Sequence, residues 1–98
     1  MEFEWDDDKN KSNIEKHGLS FEIAPLVFGG FYLSKSDDRK NYGEPRRCAM
    51  GTLGPEGRVV IVAYTIRQDK MRVISMRKAN NREQKIFYEI IAKNERPV

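Results

Sequence analysis

From Phe31 onward the apolar residues repeat with a period of two, in four segments: Phe31 to Leu33, Arg46 to Leu53, Arg58 to Ile66 and Met71 to Lys78. The later breaks are short and built from turn residues, Gly54-Pro55-Glu56-Gly57 and Gln68-Asp69-Lys70. Connections this short join antiparallel neighbours, because a parallel return needs a crossover of a dozen residues or more. The spacing therefore predicts an antiparallel meander. Val59 to Ala63 is apolar on both alternations, the pattern of a central strand covered on both faces.

The cover has to come from the flanks. Phe3 and Trp5 alternate with Glu2 and Glu4 as a short strand would, and Asp6 to Asp8 can cap a helix running to Lys16 or His17, where Gly18 stops it. Ser20 can cap a second, short helix that turns Phe21, Ala24, Val27 and Phe28 inward. Pro25 either falls in its first turn or kinks it at a cost of about 3 kcal/mol. Asn80 to Lys93, capped by Asn80 or Asn81, spaces Ile86, Phe87, Ile90 and Ile91 as an amphipathic helix does. The expected class is α+β: an antiparallel sheet packed by two N-terminal helices and one C-terminal helix. A chain of 98 residues is expected to form one domain, 1–98, burying roughly 60–70% of its unfolded surface. Glu95 to Val98 read as a tail.

Charge narrows the setting. No apolar run approaches the ~20 residues that span a bilayer, and the start, MEFEWDDDKNK, is acidic where a signal peptide is basic, so a cytoplasmic protein is expected. The single cysteine, Cys48, leaves no internal disulfide and no multi-cysteine zinc site, and its apolar strand suits a buried, inert thiol. Net charge is +3, unevenly spread: residues 1–38 hold nine acids and four bases, and residues 39–98 hold fourteen bases and six acids. A nucleic-acid footprint would belong to the second part; the alternative is a solvated surface whose halves neutralise each other.

Within that part Arg67, Arg72, Arg77, Lys78 and Arg82 surround a strand made from Val73, Ile74 and Met76. Guanidinium groups on a rigid strand suit bidentate contact with phosphate, which makes RNA or DNA the first partner to consider. Hairpin geometry sorts the cations into two clusters. Arg46, Arg47, Arg67 and Arg72 gather at the Gln68 turn, and Arg58, Arg77, Lys78 and Arg82 at the other end, ~20 Å away. Alternation puts Val73, Ser75 and Arg77 on one face and Arg72, Ile74, Met76 and Lys78 on the other. Arg77 could then stabilise a pentavalent phosphorane without a metal while Ser75 orients a phosphate oxygen; Ser75 also reads as an ordinary strand hydroxyl.

His17 is the only histidine. It can serve as acid and base near neutrality, or simply bond the last carbonyls of its helix. Trp5 suits the core or base stacking, and of the tyrosines Tyr88 is best placed to face the Arg77 end. No metal-ligand spacing, Gly-rich phosphate loop or Ser/Cys-His-Asp set is visible, so neither metal nor cofactor is expected.

Two blocks taken together resemble the BrnT-type toxins: FEWDDDKNKSNIEKHGLSFEIA, with its Trp-Asp, Lys-Asn, Lys-His-Gly and Ser-Phe-Glu steps, and then NYGEPRR, GRVVIVAYTIR and RVISMRKANNREQKIFYE in the family's order. The resemblance runs from Phe3 to Glu89; Pro25 and Ile66 depart from it. It implies a RelE-like fold and the ribonuclease toxin of a type II toxin–antitoxin pair, which cuts RNA, inhibits translation and is neutralised by a BrnA-like ribbon-helix-helix antitoxin. Operator DNA would be met only through the antitoxin. The family's basic positions fall on Arg67, Arg72, Arg77, Lys78 and Arg82, and its Lys-His-Gly step on Lys16, His17 and Gly18. Residue pattern and resemblance together assign catalysis to Arg67, Arg77 and His17, and RNA binding to Arg58, Arg72, Ser75, Lys78 and Arg82. The competing reading is a non-catalytic basic module that binds protein or RNA.

Overall fold

The computed structural model describes residues 1–55 and 57–94; Glu56 and the expected tail Glu95 to Val98 lie outside them. The chain opens with strand β1 (Glu2–Glu4) and helix α1 (Asp7–His17). Asp6 caps α1 by accepting the Lys9 N–H at 3.0 Å, Asp7 and Asp8 complement the positive end of the helix dipole, and Gly18, at φ 69°, ends it. The helix has no apolar stripe: Ile14 is exposed, and the buried residue is Asn13. It docks instead through two amides. Asn13 Nδ2 donates to Leu19 O at 2.9 Å, and Asn10 Oδ1 accepts the Phe21 N–H at 2.8 Å.

Ser20 then caps a single 3₁₀ turn, Phe21–Ile23, which leads into α2 (Ala24–Phe28). Pro25 stands in the first turn of α2, where its missing N–H costs nothing. Strands β2 (Tyr32–Ser36), β3 (Arg47–Thr52), β4 (Val59–Arg67) and β5 (Lys70–Lys78) follow, and helix α3 (Asn81–Asn94) closes the described residues.

The strands form one five-stranded sheet in the order β1-β5-β4-β3-β2. β2 to β5 are antiparallel in sequence order, but β1 pairs in parallel with β5, Phe3 lying beside Met71. The sheet is therefore mixed, which corrects the expectation of a wholly antiparallel meander. The parallel pairing is open to β1 because α1, α2 and three strands separate it from β5 in the chain, ample length for a crossover.

β5 departs from strict alternation. Ala63 pairs with Ser75 while Tyr64 pairs with Val73, so Ile74 is the extra residue of a bulge. Val73 and Met76 consequently both enter the core, and Ser75 and Arg77 share the opposite face. The expected grouping of Val73 with Ser75 and Arg77 is thereby corrected.

On the first face Val60, Val62, Val73 and Met76 meet Leu19, Phe21, Ala24 and Val27, all buried, each large side chain stabilising the fold by ~1.5–3 kcal/mol. Gly51 lets α2 approach β3, since a Cβ there would come within 2.9 Å of Val27 Cγ1. On the second face α3 drops Phe87 between Val59 and Ala79, with Leu33, Met50 and Ile61 at the margin. Ile86 and Tyr88 remain largely exposed. The second face is thus covered by α3 only in part. Among the described residues no helix is long and apolar enough to cross a membrane.

Candidate functional site

The uncovered part of the second face is a depression of about 240 Å³. Register builds it: Lys35, Cys48, Ala63 and Ser75 stand side by side across β2, β3, β4 and β5. Arg77, two residues beyond Ser75, and Glu83 on the first turn of α3 form one wall. Asp37 and Arg39, on the loop after β2, form another. Two of the residues singled out in the sequence, Ser75 and Arg77, therefore lie together. A second groove, on the α1 side, is lined by Lys16, His17, Ile74 and Ser75. Ser75 is common to both, so His17 and Arg77 approach the same strand position from different sides.

Each arginine at the depression is held by a carboxylate. Arg77 Nη1 and Nη2 donate to Glu83 Oε1 and Oε2 at 2.8 and 2.9 Å. That fork drives the Glu83 carboxyl down to about 2 and raises the Arg77 pKa. Arg39 Nε and Nη2 likewise donate to Asp37 at 2.8 and 2.9 Å, and Tyr42 Oη adds a third bond at 3.3 Å. Asp37 is lowered to about 2 chiefly by Arg39, whose own pKa rises. The Arg39 side chain is 78% exposed against 46% for Arg77, so the first stands at the rim and the second deeper in its wall.

The remaining candidates lie elsewhere. Arg67 forks onto Glu44 with bonds of 2.7–2.9 Å, and Arg72 donates to Glu4 at 2.8 Å, both near the Gln68 turn. Arg46 stacks on the Tyr42 ring at 4.1 Å, and its Nε is buried without a partner among the described residues. Arg47 turns to the other face, onto Ser34 and Ser36. Arg58 donates to Ala79 O at 3.1 Å; Lys78, opposite Val60, and Arg82, in the first turn of α3, are exposed. Trp5 packs edge-on against Phe21 beside the first core, and Tyr88 lies edge-on to Phe87 outside the depression. Cys48 is only half-buried, which corrects the expectation of a buried thiol, although burial still raises its pKa.

Lys35, Arg39 and Glu83 were not foreseen. Lys35 alternates with exposed serines on an edge strand, and Arg39 lies in a loop without periodicity. Glu83 did carry a signal: Asn80 and Glu83 have the spacing of a capping box, and the two exchange backbone–side-chain bonds of 2.8 and 2.9 Å.

The depression thus brings paired arginines, a serine and a thiol together on a mixed sheet, with the carboxylates of Asp37, Asp38 and Glu83 among them. The family model described as "Ribonuclease toxin, BrnT, of type II toxin-antitoxin system" matches residues 5–83. The chain belongs to that family. No curated protein matches the chain.

Proposed function

We propose that the protein is a metal-independent endoribonuclease whose cleavage site is the depression around Ser75 and Arg77. The observation that carries this reading is the Arg77 guanidinium, fixed by Glu83 yet open to solvent, one strand step from a hydroxyl on the same face. In the reaction the RNA 2′-oxygen attacks the adjacent phosphorus, the bond to the 5′-oxygen breaks, and a cyclic phosphate and a 5′-hydroxyl result. Arg77, with Lys35 and Arg39 at the rim, stabilises the extra negative charge of the phosphorane, and Ser75 hydrogen-bonds a non-bridging oxygen. His17, in the adjoining groove, takes the proton from the 2′-hydroxyl or supplies the one on the leaving oxygen. Arg67, expected from the sequence among the catalytic residues, is forked onto Glu44 outside the depression, so it is assigned with Arg72 to guiding the RNA at the hairpin end, while Arg58, Lys78 and Arg82 guide it at the other.

The α+β architecture is read as RelE-like. Type II membership implies RNA as substrate and a protein antitoxin as partner. The antitoxin proposed is a BrnA-like ribbon-helix-helix protein that covers the depression and carries any operator binding, and the unrestrained enzyme would inhibit translation in the cytoplasm.

The test is to incubate the chain with an RNA and the DNA of the same sequence in EDTA. RNA cut to cyclic-phosphate ends beside intact DNA supports the reading. RNA that is retained but never cut favours a non-catalytic binding module, which the occupied arginine forks would suit.

A further inference from the structure

Arg77 reaches the depression with one edge already committed. Its two terminal nitrogens face Glu83, and Nη1 also lies 3.4 Å from Lys78 O. The side edge, formed by Nε and the second N–H of Nη2, has no protein acceptor among the described residues. Glu83 is itself fixed. Its Oε1 accepts the Asn80 N–H at 2.9 Å, while its own N–H donates to Asn80 Oδ1 at 2.8 Å. The aim of the guanidinium is therefore set by the first turn of α3, through a carboxylate that cannot swing away without breaking the helix cap.

We propose that Glu83 is a positioning residue for RNA cleavage, holding the end edge of Arg77 so that its side edge is presented to the phosphate. The proposal rests on the assignment of Arg77 to phosphate stabilisation. It has a consequence that a purely structural role lacks. The carboxylate stands beside the place a phosphate would take, so it weakens binding of the ground state while preserving the geometry that the transition state needs. Removing its charge should move affinity and rate in opposite directions.

Glu83→Gln is the suitable variant, because glutamine at this position still completes the capping box. Affinity would be read with a 2′-O-methyl RNA that cannot react, and rate by single-turnover cleavage of the matching RNA. The expected result is a Kd lower by about two- to fivefold, the scale of an exposed charge pair, with a cleavage constant lower by at least about tenfold through lost alignment. A cleavage constant that is unchanged or raised would overturn the proposal, since Glu83 would then merely compete with phosphate. Parallel loss of binding and cleavage would overturn it as well, as the mark of a damaged fold. Arg77→Ala in the same assays separates the two levels: if it cleaves like the wild type, the site reading fails; if it is inactive while Glu83→Gln matches the wild type, only the role of Glu83 fails.

Discussion

Asn13 Oδ1 accepts the Met76 N–H at 3.1 Å, so a helix side chain takes the place of a strand on the outer edge of β5. β1 reaches only from Lys70 to Arg72, and beyond it the β5 amides need other partners. The same amide bonds Leu19 O, which locks α1 to both the sheet and the turn that follows it.

Asn13→Ala should therefore leave two buried backbone groups without partners and lower the unfolding free energy by about 2–4 kcal/mol. Urea denaturation measures this directly. A loss below about 0.5 kcal/mol, the scale of an ordinary surface change, would mean that water replaces the amide without cost.

Stability should fall in acid through Glu83 and Asp37. Both are held near 2, from ordinary values of 4.5 and 3.8, by Arg77 and Arg39. A carboxylate with a depressed pKa stabilises the fold fully above its unfolded value, and that contribution disappears as the pH drops through the folded one. The thermal midpoint should thus hold level down to about pH 5 and decline between about pH 4.5 and 2. Glu83→Gln and Asp37→Asn should each flatten the decline; an unchanged acid limb in both would show that these pairs do not set the acid stability.

Cys48 reports on the depression without any change to the chain. Burial raises its pKa, so alkylation at neutral pH should be slow and should accelerate as the pH rises. A 2′-O-methyl RNA should slow it further, because the thiol lies in the row that ends at Ser75. Labelling at the same rate with and without saturating RNA would place the RNA elsewhere.

At the tight turn between β4 and β5, Gln68 and Asp69 both have positive φ, 49° and 65°, the geometry of a two-residue hairpin that favours Asn-Gly. Asp69→Gly should raise stability by about 0.5–1 kcal/mol, as relief of left-handed strain exceeds the added chain entropy. A fall in thermal midpoint would contradict it.

Local chemistry made much of the fold legible. Asp6, Gly18, Ser20 and Asn80 mark helix ends through bonds within a few residues, and alternation placed four strands to within a few residues at each end. The parallel partner of β1 is set by packing across the whole chain, and the bulge at Ile74 by the competing demands of Val73 and Met76 for one core. The site was legible in part for the same reason. Ser75 and Arg77 are two apart on one strand, whereas the carboxylates that hold Arg67, Arg72 and Arg77 come from Glu44 in the loop between β2 and β3, Glu4 on β1 and Glu83 on α3. A composition rich in arginine announces cations and is silent about which of them the fold has already paired.

Arg77→Ala and Arg67→Ala, compared in EDTA by single-turnover cleavage of RNA and by the Kd for its 2′-O-methyl counterpart, tell the depression from the hairpin end as the cleavage site. Arg77→Ala should lose cleavage by about a hundredfold or more, the scale of a lost transition-state donor, and lose much less binding. Arg67→Ala should weaken binding and leave the cleavage of bound RNA nearly intact. Cleavage lost with Arg67 and retained without Arg77 would move the site to the hairpin end and rule out the depression.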